Sequence, residues 1–352
     1  MPASPPETPT PVSSSPAPSS PAPSSPMSSS PVSSSPVSSS PAPSPRASSD
    51  RVDWRGVLPA ITTPFDADLE IDHAFLADHA RWMVDEGCVG VVPGGSLGEA
   101  ATLAFDEKVA VVRSLVAALD GRAPVVPGVA ALATAEAVRF ARAVEAEGAR
   151  GLMVLPPYVY STDWREMKAH VAEVLNATEL PCMLYNNPVA YTTDFTPEQI
   201  AELAEEHPNL AAVKESSTDV RRVTALRALT GDRLEILVGV DDAIVEGIAA
   251  GAVGWIAGLV NAFPAESVAL FELARQGRTA EALALYHWFL PLLRLDTVPK
   301  FVQLIKLVQE RVGHGSARVR PPRLELAGDE RSEAERVIAL ALAARPAMKG
   351  AA

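Results

Sequence analysis

From about residue 52 onward, short apolar runs rich in β-branched residues alternate with longer stretches whose apolar positions recur every three or four residues. The short runs have the length and composition of strands buried on both faces, and the longer ones of amphipathic helices. Strands are predicted at 56–65 (GVLPAITTPF), 89–95 (VGVVPGG), 124–130 (PVVPGVA), 151–157 (GLMVLPP), 182–188 (CMLYNNP), 210–217 (LAAVKESS), 234–242 (LEILVGVDD) and 253–261 (VGWIAGLVN). Helices are predicted between them, as in DEKVAVVRSLVAALDG, TAEAVRFARAVEAEG and TPEQIAELAEEH. Thr134 and Thr196 have the side chains of helix caps, and Pro197 suits the first helical position. Gly121, Gly148 and Gly251 stand where helices should stop.

Eight near-continuous apolar strands, each followed by a helix, predict an α/β fold: a closed parallel (β/α)8 TIM barrel. An open doubly wound sheet is the alternative, but the first strand-to-helix turn lacks the G-x-G-x-x-G of its nucleotide-binding members. After residue 276 only helical patterns remain, at roughly 279–294, 297–311 and 331–344. The expected organisation is a tail over 1–51, the barrel over 52–276, a C-terminal helical appendage over 277–346, and a disordered end over 347–352.

Composition changes the picture mainly at the N-terminus. The first 50 residues hold 15 of the 32 prolines and a serine-proline repeat. Such a segment cannot bury enough apolar surface to offset its ordering entropy, so a disordered tail is expected there. It lacks the charged start and apolar core of a secretion signal. A net charge of −13 leaves no basic surplus for phosphates, which argues against nucleic acid and anionic membranes as partners. No apolar run is long enough to span a bilayer. Cys88 and Cys182 lie in apolar surroundings and read as buried, reduced thiols, consistent with a cytoplasmic protein.

In a barrel of this kind the chemistry gathers at the C-terminal strand ends. Lys214 stands at the end of an apolar strand, where a poorly solvated amine has a lowered pKa and can attack a ketone to form a Schiff base. The alternative is a structural lysine paired with Glu215. The stretch GGSLGE can form a turn whose backbone N–H groups bind a carboxylate, with Ser96 adding a hydroxyl, or it can be an ordinary glycine-rich connection. Tyr185 and Tyr158 end two other strands, where a phenol can pass protons or simply pack. None of the six histidines falls at a strand end, so no metal site is expected. The adjacent Asp241 and Asp242 point to opposite faces and suit helix capping better than a two-carboxylate site.

Three of these stretches together resemble the family of dihydrodipicolinate synthase and N-acetylneuraminate lyase, over about residues 54–325. GGSLGEAATL is similar to the family's G-[ST]-T-G-E-x-x-T-L, LYNNP to its Y-N-x-P, and VKESS to its K-E/D-[AS]-[ST], all in the same order and on the same strands. The resemblance implies a class I lyase or aldolase acting on a pyruvate-type 2-oxo acid without metal or organic cofactor. It implies that Lys214 is the imine-forming residue, Tyr185 the proton-transferring tyrosine, and Gly95, Ser96 and Leu97 the carboxylate pocket. It further implies that Ser96 and Tyr158 belong to a proton relay, that Ile256 lines the 2-oxo acid site, and that the chain forms a homo-oligomer, tetramer or dimer.

Two positions depart from the family pattern. Leu97 replaces a common second threonine. Ala190 replaces the arginine that in dihydrodipicolinate synthases grips the second substrate's distal carboxylate, and a buried carboxylate without a cation is costly. Asn187, Ala190, Tyr191 and Thr192 therefore suggest a neutral distal pocket that reads hydroxyls. The expected function is a Schiff-base lyase on a pyruvate-type 2-oxo acid, with hydroxylated 2-oxo acids among the plausible substrates. The alternatives are a dehydratase and deaminase of the hydroxylated pyrroline carboxylate of hydroxyproline breakdown, and 4-hydroxy-tetrahydrodipicolinate synthase. A non-catalytic ligand-binding barrel would have been suggested by loss of Lys214 or Tyr185, and both are present.

Overall fold

The computed structural model describes residues 52–157 and 162–347. The Pro/Ser tail and Tyr158 lie outside them. Seven parallel strands form one sheet: β1 (Gly56–Pro59), β2 (Gly128–Val129), β3 (Leu152–Val154), β4 (Cys182–Asn186), β5 (Leu210–Glu215), β6 (Glu235–Val238) and β7 (Gly254–Ala257). Their order is β1-β7-β6-β5-β4-β3-β2. Chain neighbours are sheet neighbours from β2 to β7, and β1 lies beside β7. The order never reverses, so there is no switch point of the doubly wound kind.

Sequence patterning predicted eight strands, and the described residues form seven. The missing one is 89–95, which takes part only in isolated bridges, Ala60 with Val92 and Val91 with Val125. Its backbone still bonds to both sides. Val89 N and Val92 N donate to Val57 O and Pro59 O, while Val126 N and Gly128 N donate to Val91 O and Pro93 O. The segment is cut short as a strand because it runs at once into Pro93 and Gly94. Gly94 has φ 69°, and a β-carbon on Gly128 would lie 2.7 Å from its carbonyl oxygen. Glycine is required on both sides of that approach.

The strands are short and buried on nearly every residue, which explains their continuous apolar runs. Helices cover the outside. Thr196 caps Pro197–Glu206 as expected, its hydroxyl accepting from Gln199 N while the Gln199 side chain accepts from Thr196 N. Thr134 does not cap its helix. That helix starts on Thr134 itself, and the hydroxyl is paired with His170 Nδ1 at 3.0 Å. Gly121, Gly148 and Gly251 end helices with φ of 76°, 95° and 107°. The C-terminal helices are Thr279–Leu293, Phe301–Arg311 and Gly328–Ala343, with a short 3₁₀ turn at Arg294–Asp296. Both cysteines are buried and unpaired, and burial raises both thiols. Among the described residues no helix is long and apolar enough to cross a membrane.

Candidate active site

The strand ends surround a cavity of about 440 Å³. Lys214 and Tyr185 are partners in register across β4 and β5, so the hydrogen-bond ladder sets them side by side. Lys214 is buried, with Nζ 4.2 Å from the centre of the Tyr185 ring. The Tyr185 hydroxyl accepts from Asn187 Nδ2 at 2.9 Å. Room for the lysine stem comes from Gly239, just beyond β6, where a β-carbon would lie 2.6 Å from Lys214 Cε and would strike Ser216 Oγ.

The structural alternative for Lys214, pairing with Glu215, is not what the side chains do. Glu215 turns away. Its carboxylate accepts from Asn186 Nδ2 at 3.2 Å and Ser217 N at 2.7 Å, and lies 3.4 Å from Arg222 Nε. Adjacent strand residues face opposite ways, so the acid serves the outer layer while the lysine faces the cavity. Burial raises the Glu215 carboxyl, and these bonds with the Arg222 charge only partly oppose it.

Gly95, Ser96 and Leu97 line the cavity from the loop that replaces the missing strand's end. Ile256 lines it from β7, 2% exposed. Asn187 and Ala190 line it from the loop after β4, which begins with a cap: Asn187 Oδ1 accepts from Ala190 N, and Pro188 opens a one-turn helix. Asn186 folds this loop back, its side chain bonding Asp194, Phe195 and Glu215. The return brings Tyr191 into the site. Its hydroxyl is hydrogen-bonded to Ser96 Oγ, and its ring meets Tyr185 edge-on, centroids 5.9 Å apart. Ser96, Tyr191 and Tyr185 thus form one cluster. Thr192, expected in the distal pocket, is exposed, with its hydroxyl donating to Tyr191 O.

Three residues at the site were not expected from the sequence, and a fourth, Asp241, was expected only as a helix cap. Glu99, buried, receives Lys306 Nζ at 2.5 Å and Arg320 N at 3.1 Å, which ties the Ser96 loop to the C-terminal helices. Arg323 lines the cavity with its guanidinium 3.8 Å from Glu99. Asp241, next to the lining residue Val240, is fully buried and accepts from Trp255 Nε1, Gly258 N and Leu259 N. It does not cap the helix that follows it; its carboxylate bonds instead the backbone where the 3₁₀ turn Leu259–Asn261 begins after β7. Burial pushes its carboxyl up to about 6, against these donors and the nearby Lys214 charge. Asp296 lines the cavity from the C-terminal helices. None of Glu99, Arg323 and Asp296 stands at a strand end, so the rule that locates chemistry there could not find them.

The curled parallel sheet with its cavity at the strand ends is TIM-barrel-like, and the protein is a lyase of the class I aldolase kind. The chain belongs to the dihydrodipicolinate synthetase family, whose model matches residues 53–341. It is similar to a 4-hydroxy-tetrahydrodipicolinate synthase of Methanoculleus marisnigri, 33% identical over 276 residues, covering 78% of this chain and 94% of that one. Among solved structures it is similar to the 4-hydroxy-tetrahydrodipicolinate synthase of Methylacidiphilum fumariolicum SolV, with TM-score 0.80 and 25% identity over 83% of this chain and 97% of that one. It is also similar to a prophage protein of the dihydrodipicolinic acid synthase family from E. coli K12, solved with pyruvate, with TM-score 0.78 and 25% identity over 82% of this chain and 99% of that one.

Proposed function

We propose that this enzyme forms an imine between Lys214 and a pyruvate-type 2-oxo acid and makes or breaks a bond beyond the imine carbon. The observation that carries the reading is the juxtaposition of Lys214 and Tyr185 in one cavity with Ser96 and Tyr191. Nζ attacks the ketone carbon and water leaves. The resulting iminium accepts the electron pair released when the neighbouring carbon loses a proton or a carbon substituent. Tyr185 exchanges protons with the reacting centre, and Ser96 with Tyr191 extends the path. The resemblance makes Tyr158 a further member of that relay. Gly95, Ser96 and Leu97 receive the substrate carboxylate, and Ile256 forms the apolar wall. The two halves of the fold act as an eight-position barrel over 52–276 and helices over 277–346, in a cytoplasmic homo-oligomer, tetramer or dimer.

The wall around Asn187 and Ala190 supports a substrate with a hydroxylated, uncharged tail. A second reading, 4-hydroxy-tetrahydrodipicolinate synthase, is favoured by Arg323. This guanidinium lines the cavity and shares Glu99 with Lys306, so two cations stand against one carboxylate. It offers a distal carboxylate the charge that Ala190 lacks.

Borohydride reduction with pyruvate, followed by peptide mass spectrometry, tests the imine. A stable adduct on the peptide holding Lys214 is expected. A folded protein that gives no adduct with pyruvate or longer 2-oxo acids would refute the reading. Turnover of aspartate semialdehyde with pyruvate, as efficient as with any hydroxylated acid, would favour the second reading.

A further inference from the structure

The C-terminal helices contribute a carboxyl group to the cavity. Asp296 ends the 3₁₀ turn Arg294–Asp296 between two of those helices and lines the same cavity as Lys214. Its Oδ1 is buried and has no hydrogen-bond partner. Space for it is made by Gly258, where a β-carbon would collide with the carboxyl oxygens. The same glycine's N–H is already given to Asp241. The two acids therefore differ: Asp241 is satisfied by three donors, whereas Asp296, a lining residue, carries a buried oxygen with no donor.

A buried, unmatched polar atom is costly unless something completes it. Beside Lys214 and at the cavity wall, that something is ligand. Resting on the imine reading above, we propose that Asp296 is a specificity-determining residue that hydrogen-bonds a hydroxyl on the tail of a 2-oxo acid held at Lys214. The neighbouring Asp241 selects against a second anion at this point. Burial and Asp241 both raise the Asp296 carboxyl well above its usual range, with the Lys214 charge opposing. Charged or neutral, the carboxyl has an oxygen that can accept from a ligand hydroxyl, which supplies the donor Oδ1 lacks. Discrimination follows from the asymmetry of hydrogen bonding. A ligand lacking the hydroxyl leaves the buried carboxyl unpaired, and sites built to bind a hydroxyl reject such analogues strongly.

The test uses the full chain and borohydride trapping, with total adduct measured by mass against ligand concentration. The probes are pyruvate, 2-oxopentanoate, and the 4-hydroxy and 5-hydroxy derivatives of 2-oxopentanoate. In the wild type at least one hydroxylated acid should half-saturate about tenfold below 2-oxopentanoate. Asp296→Ala should bring the two within about twofold. Asp296→Asn keeps the volume and a hydrogen-bonding amide, and should restore most of the preference. If pyruvate is trapped normally but no hydroxylated acid is preferred, or the preference survives in both variants, the assignment of Asp296 is overturned alone. If pyruvate is not trapped by the wild type, the imine reading fails and takes this inference with it.

Discussion

Lys306 and Glu99, 207 residues apart, form an ion pair 2.5 Å long whose side chains are 2% and 0% exposed. One sits on the helix Phe301–Arg311, the other directly after Gly98 in the GGSLGE turn, with φ 56°. Arg320 N also donates to Glu99, and Lys306 also donates to Arg318 O. The pair therefore holds the cavity-lining GGSLGE turn against the C-terminal helices. Removing one partner strands a buried charge, which costs about 3–5 kcal/mol. Lys306→Met should lower stability by that order in urea titration and weaken 2-oxo acid binding by loosening Ser96. Adding Glu99→Gln to Lys306→Met should recover part of the stability, because the stranded charge is gone. A double variant no more stable than the single one would contradict this account.

Lys214→Ala should abolish turnover and borohydride labelling while melting close to the wild type, since the lysine has no ion pair among the described residues and the change leaves the ladder intact. Tyr185→Phe should keep the fold and the ring contact with Lys214 but lose the proton-passing hydroxyl. Its expected effect is a fall in kcat of about 10²–10⁴-fold, the usual worth of a positioned acid or base. Pre-steady-state measurement should still show the imine in that variant. Near-normal kcat in Tyr185→Phe would remove the tyrosine from the chemistry.

Much of this was legible because strands buried on both faces write themselves as apolar runs, and polar groups facing the cavity interrupt those runs. Lys214 breaks LAAVKESS, and Tyr185 ends CMLYNNP. The strand at 89–95 was overcounted because its residues are as apolar as a strand's, while Pro93 and Gly94 withdraw the backbone from the ladder. Thr134 shows a smaller failure of the same kind: the residue type fits a cap, but His170 claims its hydroxyl. Lys306 sits on a helix, Asp296 in the 3₁₀ turn Arg294–Asp296 and Arg323 in the connection before Gly328–Ala343, all after residue 276 and with no local signal. Only the tertiary fold carries those segments over the strand ends.

His79 gives the chain a built-in sensitivity to acid. It is 4% exposed, packed beside Asn261 Oδ1 at 3.4 Å and Gln309 Nε2 at 3.3 Å. Burial lowers its pKa to about 4, against the Asn261 bond that favours the charged ring. Between pH 6.5 and 4 the unfolded chain binds a proton here that the folded one refuses, so stability falls as pH drops through that window. The full effect approaches about 3 kcal/mol from this group alone. His79→Gln, which keeps a polar side chain for Asn261, should flatten the decline between pH 6.5 and 4 in urea midpoints. An unchanged slope would show that another group titrates there.

Tyr191 offers the sharpest separation of roles in the proton path. Its hydroxyl is bonded to Ser96 Oγ, and its ring stands edge-on to Tyr185, so it joins the carboxylate turn to the tyrosine beside Lys214. A tyrosine that only packs would tolerate loss of the hydroxyl, since Phe preserves the ring contact. A tyrosine that relays protons would not. Tyr191→Phe should therefore leave pyruvate half-saturation in borohydride trapping within about twofold and slow kcat by about 10²-fold, the lower end of acid–base contributions. Ser96→Ala should slow the same step. Because the two hydroxyls act as one chain, the double variant should be little slower than either single one. Multiplicative losses in the double variant would instead mean that Ser96 and Tyr191 serve separate steps, Ser96 holding the carboxylate and Tyr191 shaping the pocket.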